Sequence, residues 1–152
     1  MLKKLIASSL LASSLIMTGC QTTPPPSDTI EMANIQQLQQ RTWILTQMGN
    51  TEIKTAPNER NIPSLQFSAD NRISGADGCN RIMGSYIVGR DTLTLSQLAT
   101  TRMACTNNST VPQQFQEAVA KVTHYQVFGK TLKLLDRHGN LLLQFGSAIQ
   151  PR

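Results

Sequence analysis

In this 152-residue chain the side chains best suited to chemistry gather in one stretch, Ser74 to Cys105. Cys79 and Cys105 bracket it, with Asn80-Arg81 just after the first cysteine and Thr101-Arg102 just before the second. A thiol can serve as a nucleophile, a metal ligand or half of a disulfide. The first two uses lack support here. There is no CxxC pair, and His124 and His138 have no ligand-like spacing to either cysteine. No serine sits in a G-x-S-x-G elbow. Asp70, Asp77 and Asp91 all fall in turn-forming stretches, where aspartate is simply a good turn residue. His124 opens a strand-like run and His138 lies in a turn, neither with a catalytic partner. No nucleophile, base and orienting group can be assembled. The expectation is a non-enzyme with no catalytic residues, no cofactor and no metal site.

Binding remains open for four residues. Asn80-Arg81 could contact a ligand, but asparagine in a glycine-bounded turn more often satisfies backbone donors. Thr101-Arg102 could take an anion or a partner's carboxylate, because arginine presents a planar fork of donors. The structural alternative is a hydrogen bond or an ion pair, with Asp77 as the nearest candidate carboxylate. Asn80, Arg81, Thr101 and Arg102 are therefore the candidate binding set.

The third cysteine, Cys20, belongs to a different element. Met1 to Lys4 is a charged start and Leu5 to Ile16 an apolar run, the pattern of a secretory signal peptide over residues 1–19. The run is too short for a membrane span, which needs roughly 20 apolar residues. Met17-Thr18-Gly19-Cys20 resembles the bacterial lipobox, with Met17 where leucine is commoner. That resemblance implies cleavage before Cys20, diacylglycerol on its thiol and a further acyl chain such as palmitate on its amine. Three chains anchor stably where one is marginal. Gln21 in place of aspartate implies sorting to the cell outer membrane, with the protein facing the periplasm. With Lys3 and Lys4 removed, 12 basic residues face 9 acidic ones, a net +3 with no basic block. Nucleic acid is thus not an expected partner. With Cys20 lipidated, two cysteines remain in an oxidising compartment, and an even pair there reads as a Cys79–Cys105 disulfide.

Residues 20–34 read as a tether, with Pro24 to Pro26 favouring an extended spacer. Asp28 and Glu31 have the spacing of a capping box, opening a short helix from Ile30 to Gln40. Strands are expected at Trp43–Met48, Thr51–Thr55, Ser64–Phe67, Arg72–Ser74, Ser85–Val88 and Thr92–Leu95. Three more are expected at His124–Phe128, Thr131–Leu135 and Leu141–Phe145. Phe115, Ala118, Val119 and Val122 follow the i, i+3, i+4, i+7 rule of an amphipathic helix that begins near Pro112 and ends near Thr123. Antiparallel hairpins with one such helix make an α+β domain.

The pattern over residues 35–146 resembles the META domain family, in its HslJ-like form. Arg41-Thr42-Trp43, Ile73-Ser74-Gly75, Cys79-Asn80-Arg81, Gly84, Leu93 and Leu98-Ala99-x-Thr101-Arg102-Met103-x-Cys105 carry the likeness. The resemblance implies a twisted antiparallel sheet or partial barrel packed with one helix, spanning residues 35–152 behind the tether. It implies a role in envelope or heat stress and names no catalytic residue. The expected protein is therefore a membrane-anchored lipoprotein that acts through contact with an envelope protein. A binder of small ligands or anions, or an inhibitor of a cell-wall hydrolase, is the alternative.

Overall fold

The computed structural model describes residues 19, 27–39, 41–55, 59–105 and 109–147. The expected signal peptide apart from Gly19, the acceptor Cys20 and the proline run lie outside them. Among the described residues no helix is long and apolar enough to cross a membrane.

Two helices and nine strands follow one another along the chain. They are α1 (Ser27–Gln39), β1 (Thr42–Met48), β2 (Thr51–Glu52), β3 (Ser64–Phe67), β4 (Arg72–Ala76), β5 (Arg81–Val88), β6 (Leu93–Thr100), α2 (Val111–Val119), β7 (His124–Phe128), β8 (Thr131–Leu135) and β9 (Leu141–Ser147). The strands form one antiparallel sheet in the order β6-β5-β4-β3-β1-β9-β8-β7, with the short β2 beside β1. Right-handed twist curls such a sheet. Its two edges meet where β6 and β7 begin: Thr92 bridges His124, and Tyr125 N–H donates to the Asp91 carbonyl at 2.9 Å. The result is a partial barrel with helices at its ends, the α+β class expected.

Alternation fills the barrel. Trp43 and Leu45 on β1, Leu65 and Phe67 on β3, Leu132 and Leu134 on β8, and Leu143 and Phe145 on β9 all point inward and are buried. Full burial of such a side chain contributes about 1.5–3 kcal/mol. Gly75 on β4 sits opposite Leu65, and a Cβ there would run into the Ser64 carbonyl oxygen. The close approach of β3 to β4 explains a glycine inside that strand.

Several boundaries depart from expectation, each for a local reason. The second strand stops at Glu52. The run from Thr92 to Leu95 and the apolar stretch after it are one strand, β6, bent by a bulge. Three residues of β5, from Met83 to Ser85, oppose four of β6, from Ser96 to Ala99, and Gln97 takes φ 52°. Helix α2 ends at Val119, short of Thr123. The Lys121 and Val122 N–H groups donate three residues back, to Ala118 and Val119, and this tightened turn carries Val122 into the core. Helix α1 begins at Ser27, so residues 27–34 of the expected tether are helical. Asp28 lies within its first turn, where its charge suits the helix dipole, and is not the cap.

The two helices close opposite ends. Leu38 of α1 is buried against the barrel, and its carbonyl accepts the Trp43 indole N–H at 2.9 Å. Phe115 of α2 meets Phe145 edge to face at 6.2 Å between ring centres.

Candidate functional site

The expected disulfide is present. Cys79 and Cys105 are bonded, with their α-carbons 5.8 Å apart. Cys79 is buried in the turn between β4 and β5, while Cys105 is exposed beyond the end of β6. The bridge ties the segment after β6 to the start of β5 and closes this corner of the barrel.

The dominant group at the corner is Asp77, which has 0% exposure. Its carboxylate is satisfied on both oxygens. Oδ1 accepts the backbone N–H of Cys79 at 2.9 Å and of Asn80 at 2.6 Å. Oδ2 accepts the Gln116 side-chain amide at 2.5 Å and that of Asn80 at 3.4 Å. Such charge-assisted bonds are roughly twice as strong as neutral ones. Asp77 thus builds an Asx-type turn and, through Gln116, fastens α2 to it. It is a turn aspartate, as expected, but no arginine reaches it. The proposed ion pair from Arg102 or Arg81 to Asp77 is absent. The reason is burial: a carboxylate already filled by four donors inside the fold has no open side for an exposed guanidinium. Among the described residues the one ion pair is Arg72 with Asp70, at 2.6 Å on the surface. There the Arg72 guanidinium, donating a hydrogen bond, holds the Asp70 carboxyl below its usual range.

The four candidate binding residues separate into two kinds. Asn80 accepts the Met103 N–H on Oδ1 at 2.8 Å and donates to Asp77, so its amide serves the turn. Thr101 accepts the Arg81 N–H on its hydroxyl at 2.9 Å, and Thr101 N–H returns a bond to the Arg81 carbonyl at 3.0 Å. These two side chains extend the β5–β6 ladder past its last strand pair. Arg81 and Arg102 are exposed and make no side-chain hydrogen bond or ion pair among the described residues. Arg81 opens β5, whereas Arg102 lies in the irregular segment after β6 ends at Thr100. The Cys79–Cys105 bridge brings the backbone near these two arginines together, and neither groove beside it is lined by both.

Two open grooves flank the corner. One, of about 450 Å³, is lined by Arg81, Met83, Asn61, Ser64 and Ser74 among others. The second, of about 330 Å³, runs past Glu59, Asn61, Met103 and the disulfide. Neither gathers Asn80, Arg81 and Arg102 together. Asn61 stands between them and ties the β2–β3 connection to the corner, its amide donating to the Cys79 carbonyl at 2.6 Å. Sequence reasoning passed over Asn61 and Gln116. Neither lies in a motif, and their partners are far along the chain. It also passed over the exposed Met83, Ile87, Met103 and Phe128, although strand alternation could have placed Met83 and Ile87 opposite the inward Tyr86.

A curled antiparallel sheet with a helix at each end and a disulfide-locked corner defines a small α+β module. A model of the META domain matches residues 36–149, and the chain belongs to the META domain family. No curated protein sequence matches it. Solved structures share its fold. A protein from Burkholderia xenovorans, determined by NMR, aligns with TM-score 0.60 at 22% identity, over 98% of this chain and all of its own. A second NMR structure aligns with TM-score 0.58 at 23% identity, over 73% of this chain and 92% of its own. A DUF4847 family protein from Bacteroides vulgatus gives TM-score 0.55 at 20% identity, over 75% and 96%. At these identities the likeness establishes the fold.

Proposed function

We propose that this META-domain protein is an outer-membrane lipoprotein, anchored through Cys20 and facing the periplasm. On this reading it supports envelope or heat-stress tolerance by contact with another envelope protein, without catalysis. One observation carries the reading. The polar groups of the corner, Asp77, Asn80 and Thr101, spend their hydrogen bonds on the fold, while Arg81, Arg102, Met83 and Met103 stand exposed around it. Arginine and methionine are residue types enriched at protein interfaces. The two unengaged guanidiniums also favour the second reading, an anion-binding protein or an inhibitor of a cell-wall hydrolase, since each could take a carboxylate or phosphate.

Arg81→Gln with Arg102→Gln tests the surface. Exposed and without ion partners, the pair should change stability by less than about 0.5 kcal/mol while weakening survival under envelope stress. A double variant that is folded, correctly localised and fully protective excludes this patch as the working surface. Cross-linking from position 83 in intact cells separates the two readings, because a protein contact gives an adduct of defined mass and a small anion gives none.

A further inference from the structure

The end of the barrel closed by α1 carries an apolar surface of its own. Phe128 is 88% exposed, the most exposed large apolar side chain described. It stands at the tip of the β7–β8 hairpin, whose two-residue turn starts with Gly129 at φ 57°. A glycine with positive φ in that position makes a tight, well-defined turn, so the tip projects stiffly. Met32 on α1 and Ile87, two residues before the β5–β6 turn, are 63% and 72% exposed. All three belong to one end of the molecule. The α1 segment and Arg41 just after it reach the three hairpin turns there. Gln39 donates to the Tyr86 hydroxyl, which donates to the Ser68 carbonyl; Asn34 donates to the Arg90 carbonyl; Arg41 donates to the Gly129 carbonyl.

We propose that this α1 end, led by Phe128, rests in the interfacial layer of the lipid bilayer that holds the anchor. The inference depends on the proposed lipidation of Cys20. Six residues lie between Cys20 and Ser27, the first residue of α1, which makes seven Cα-to-Cα steps. Fully extended, they reach at most about 25 Å. A domain of this size has a radius of gyration of about 13 Å, so it is wider than its tether is long. The end from which the tether leaves is thereby kept toward the membrane, and the α2 end away from it. Charge does not drive the contact. Arg41, Arg72, Arg90 and Lys130 at this end are balanced by Asp28, Glu31, Asp70 and Asp91. The contact is therefore apolar, with long basic side chains able to reach past the ring to the head groups. It is insensitive to salt and to the fraction of anionic lipid.

The test uses the full-length acylated protein in vesicles of phosphatidylcholine and phosphatidylethanolamine. Trp43 is the sole tryptophan and is buried, so its emission is a fixed background. Phe128→Trp should give blue-shifted emission quenched by lipids brominated near the head group, unchanged between low and high salt. Gln113→Trp, exposed on α2 at the other end, should show neither effect. Mass spectrometry of the same samples reports acylation. An acylated, vesicle-bound protein whose position 128 is not quenched overturns the inference and leaves the lipoprotein reading standing. Equal quenching at positions 113 and 128 overturns it too, since it means no fixed orientation. A protein without acyl chains overturns both. Shielding of position 128 only when a second protein is added assigns the tip to a protein contact and overturns the lipid one.

Discussion

The two ends of the barrel are closed by different chemistry. At the α2 end a buried carboxylate and a disulfide do the closing: Asp77 binds two backbone N–H groups and Gln116, and Cys79 is bonded to Cys105. At the other end the contacts of helix α1 itself are neutral. The Trp43 indole reaches the Leu38 carbonyl, and a chain of bonds runs from Gln39 through Tyr86 to Ser68. Phe67 and Tyr86 pack edge to face beneath it at 5.1 Å. Helix α2 buries Phe115 and Val119, whereas Leu38, in the last turn of α1, is the one buried side chain among residues 28–39. Neutral hydrogen bonds contribute about 0.5–1.5 kcal/mol each and charged ones about 1.5–3. The difference teaches that the α2 end is the rigid one, while α1 is held chiefly by its last turn.

Removing the carboxylate should have the largest effect. Asp77→Ala leaves the Cys79 and Asn80 N–H groups and the Gln116 amide without acceptors in a buried site. The expected loss is about 3–5 kcal/mol, from the cost of each unsatisfied donor. Urea denaturation measures it. Asp77→Asn is the sharper variant, because it keeps the shape and one acceptor oxygen while removing the charge from every bond the carboxylate accepts. A loss no larger than that from a surface aspartate such as Asp91 would mean the two ends are closed equally weakly.

The disulfide comes next. The loop between Cys79 and Cys105 spans 26 residues, for which the chain-entropy relation gives about 3.5 kcal/mol. Replacing both cysteines with serine should shift the urea midpoint accordingly. It should also raise amide exchange around residues 101–105 and in α2 while leaving β7 to β9 protected. Uniform loss of protection would show that the bridge supports the whole barrel and not one end.

How much of this was legible in the chain follows from the same contrast. All nine strands were readable in place, though not in every boundary, because alternation is a local signal; Leu65 and Phe67, or Leu132 and Leu134, need only their neighbours. The disulfide was read from the cysteine count together with an expected oxidising compartment. The Asp77–Gln116 bond spans 39 residues, and no local pattern marks glutamine on a helix as the partner of a turn aspartate. The charges of Arg81 and Arg102 were visible, but their lack of partners depends on Asp77 being filled by others. The bulge at Gln97 and the early end of α2 are set by packing against β5 and the core, which outweighs periodicity.

The smallest effect at neutral pH belongs to the α1 end, and it grows with alkalinity. Tyr125 is buried there, its hydroxyl donating to the Gly89 carbonyl at 3.0 Å. Burial, with added repulsion from Glu31, Asp91 and Tyr86, pushes its phenol up to about 12. Burial also raises Tyr86, partly offset by the Gln39 hydrogen bond. An unfolded tyrosine ionises near pH 10. Below that pH both states hold the proton and the stability is intact. Between pH 10 and 12 the unfolded chain releases the Tyr125 proton while the fold retains it, so stability falls as pH rises. Tyr125→Phe should therefore cost about 1 kcal/mol at pH 7, the worth of one neutral hydrogen bond. It should then lose less than the native protein as pH climbs from 10 to 12, with Tyr86 still titrating in both. Denaturation midpoints followed through Trp43 fluorescence, beside the Leu38 carbonyl of α1, give the comparison directly. Parallel alkaline losses in the two proteins would mean that Tyr125 ionises freely in the folded state and that the α1 end is open to solvent.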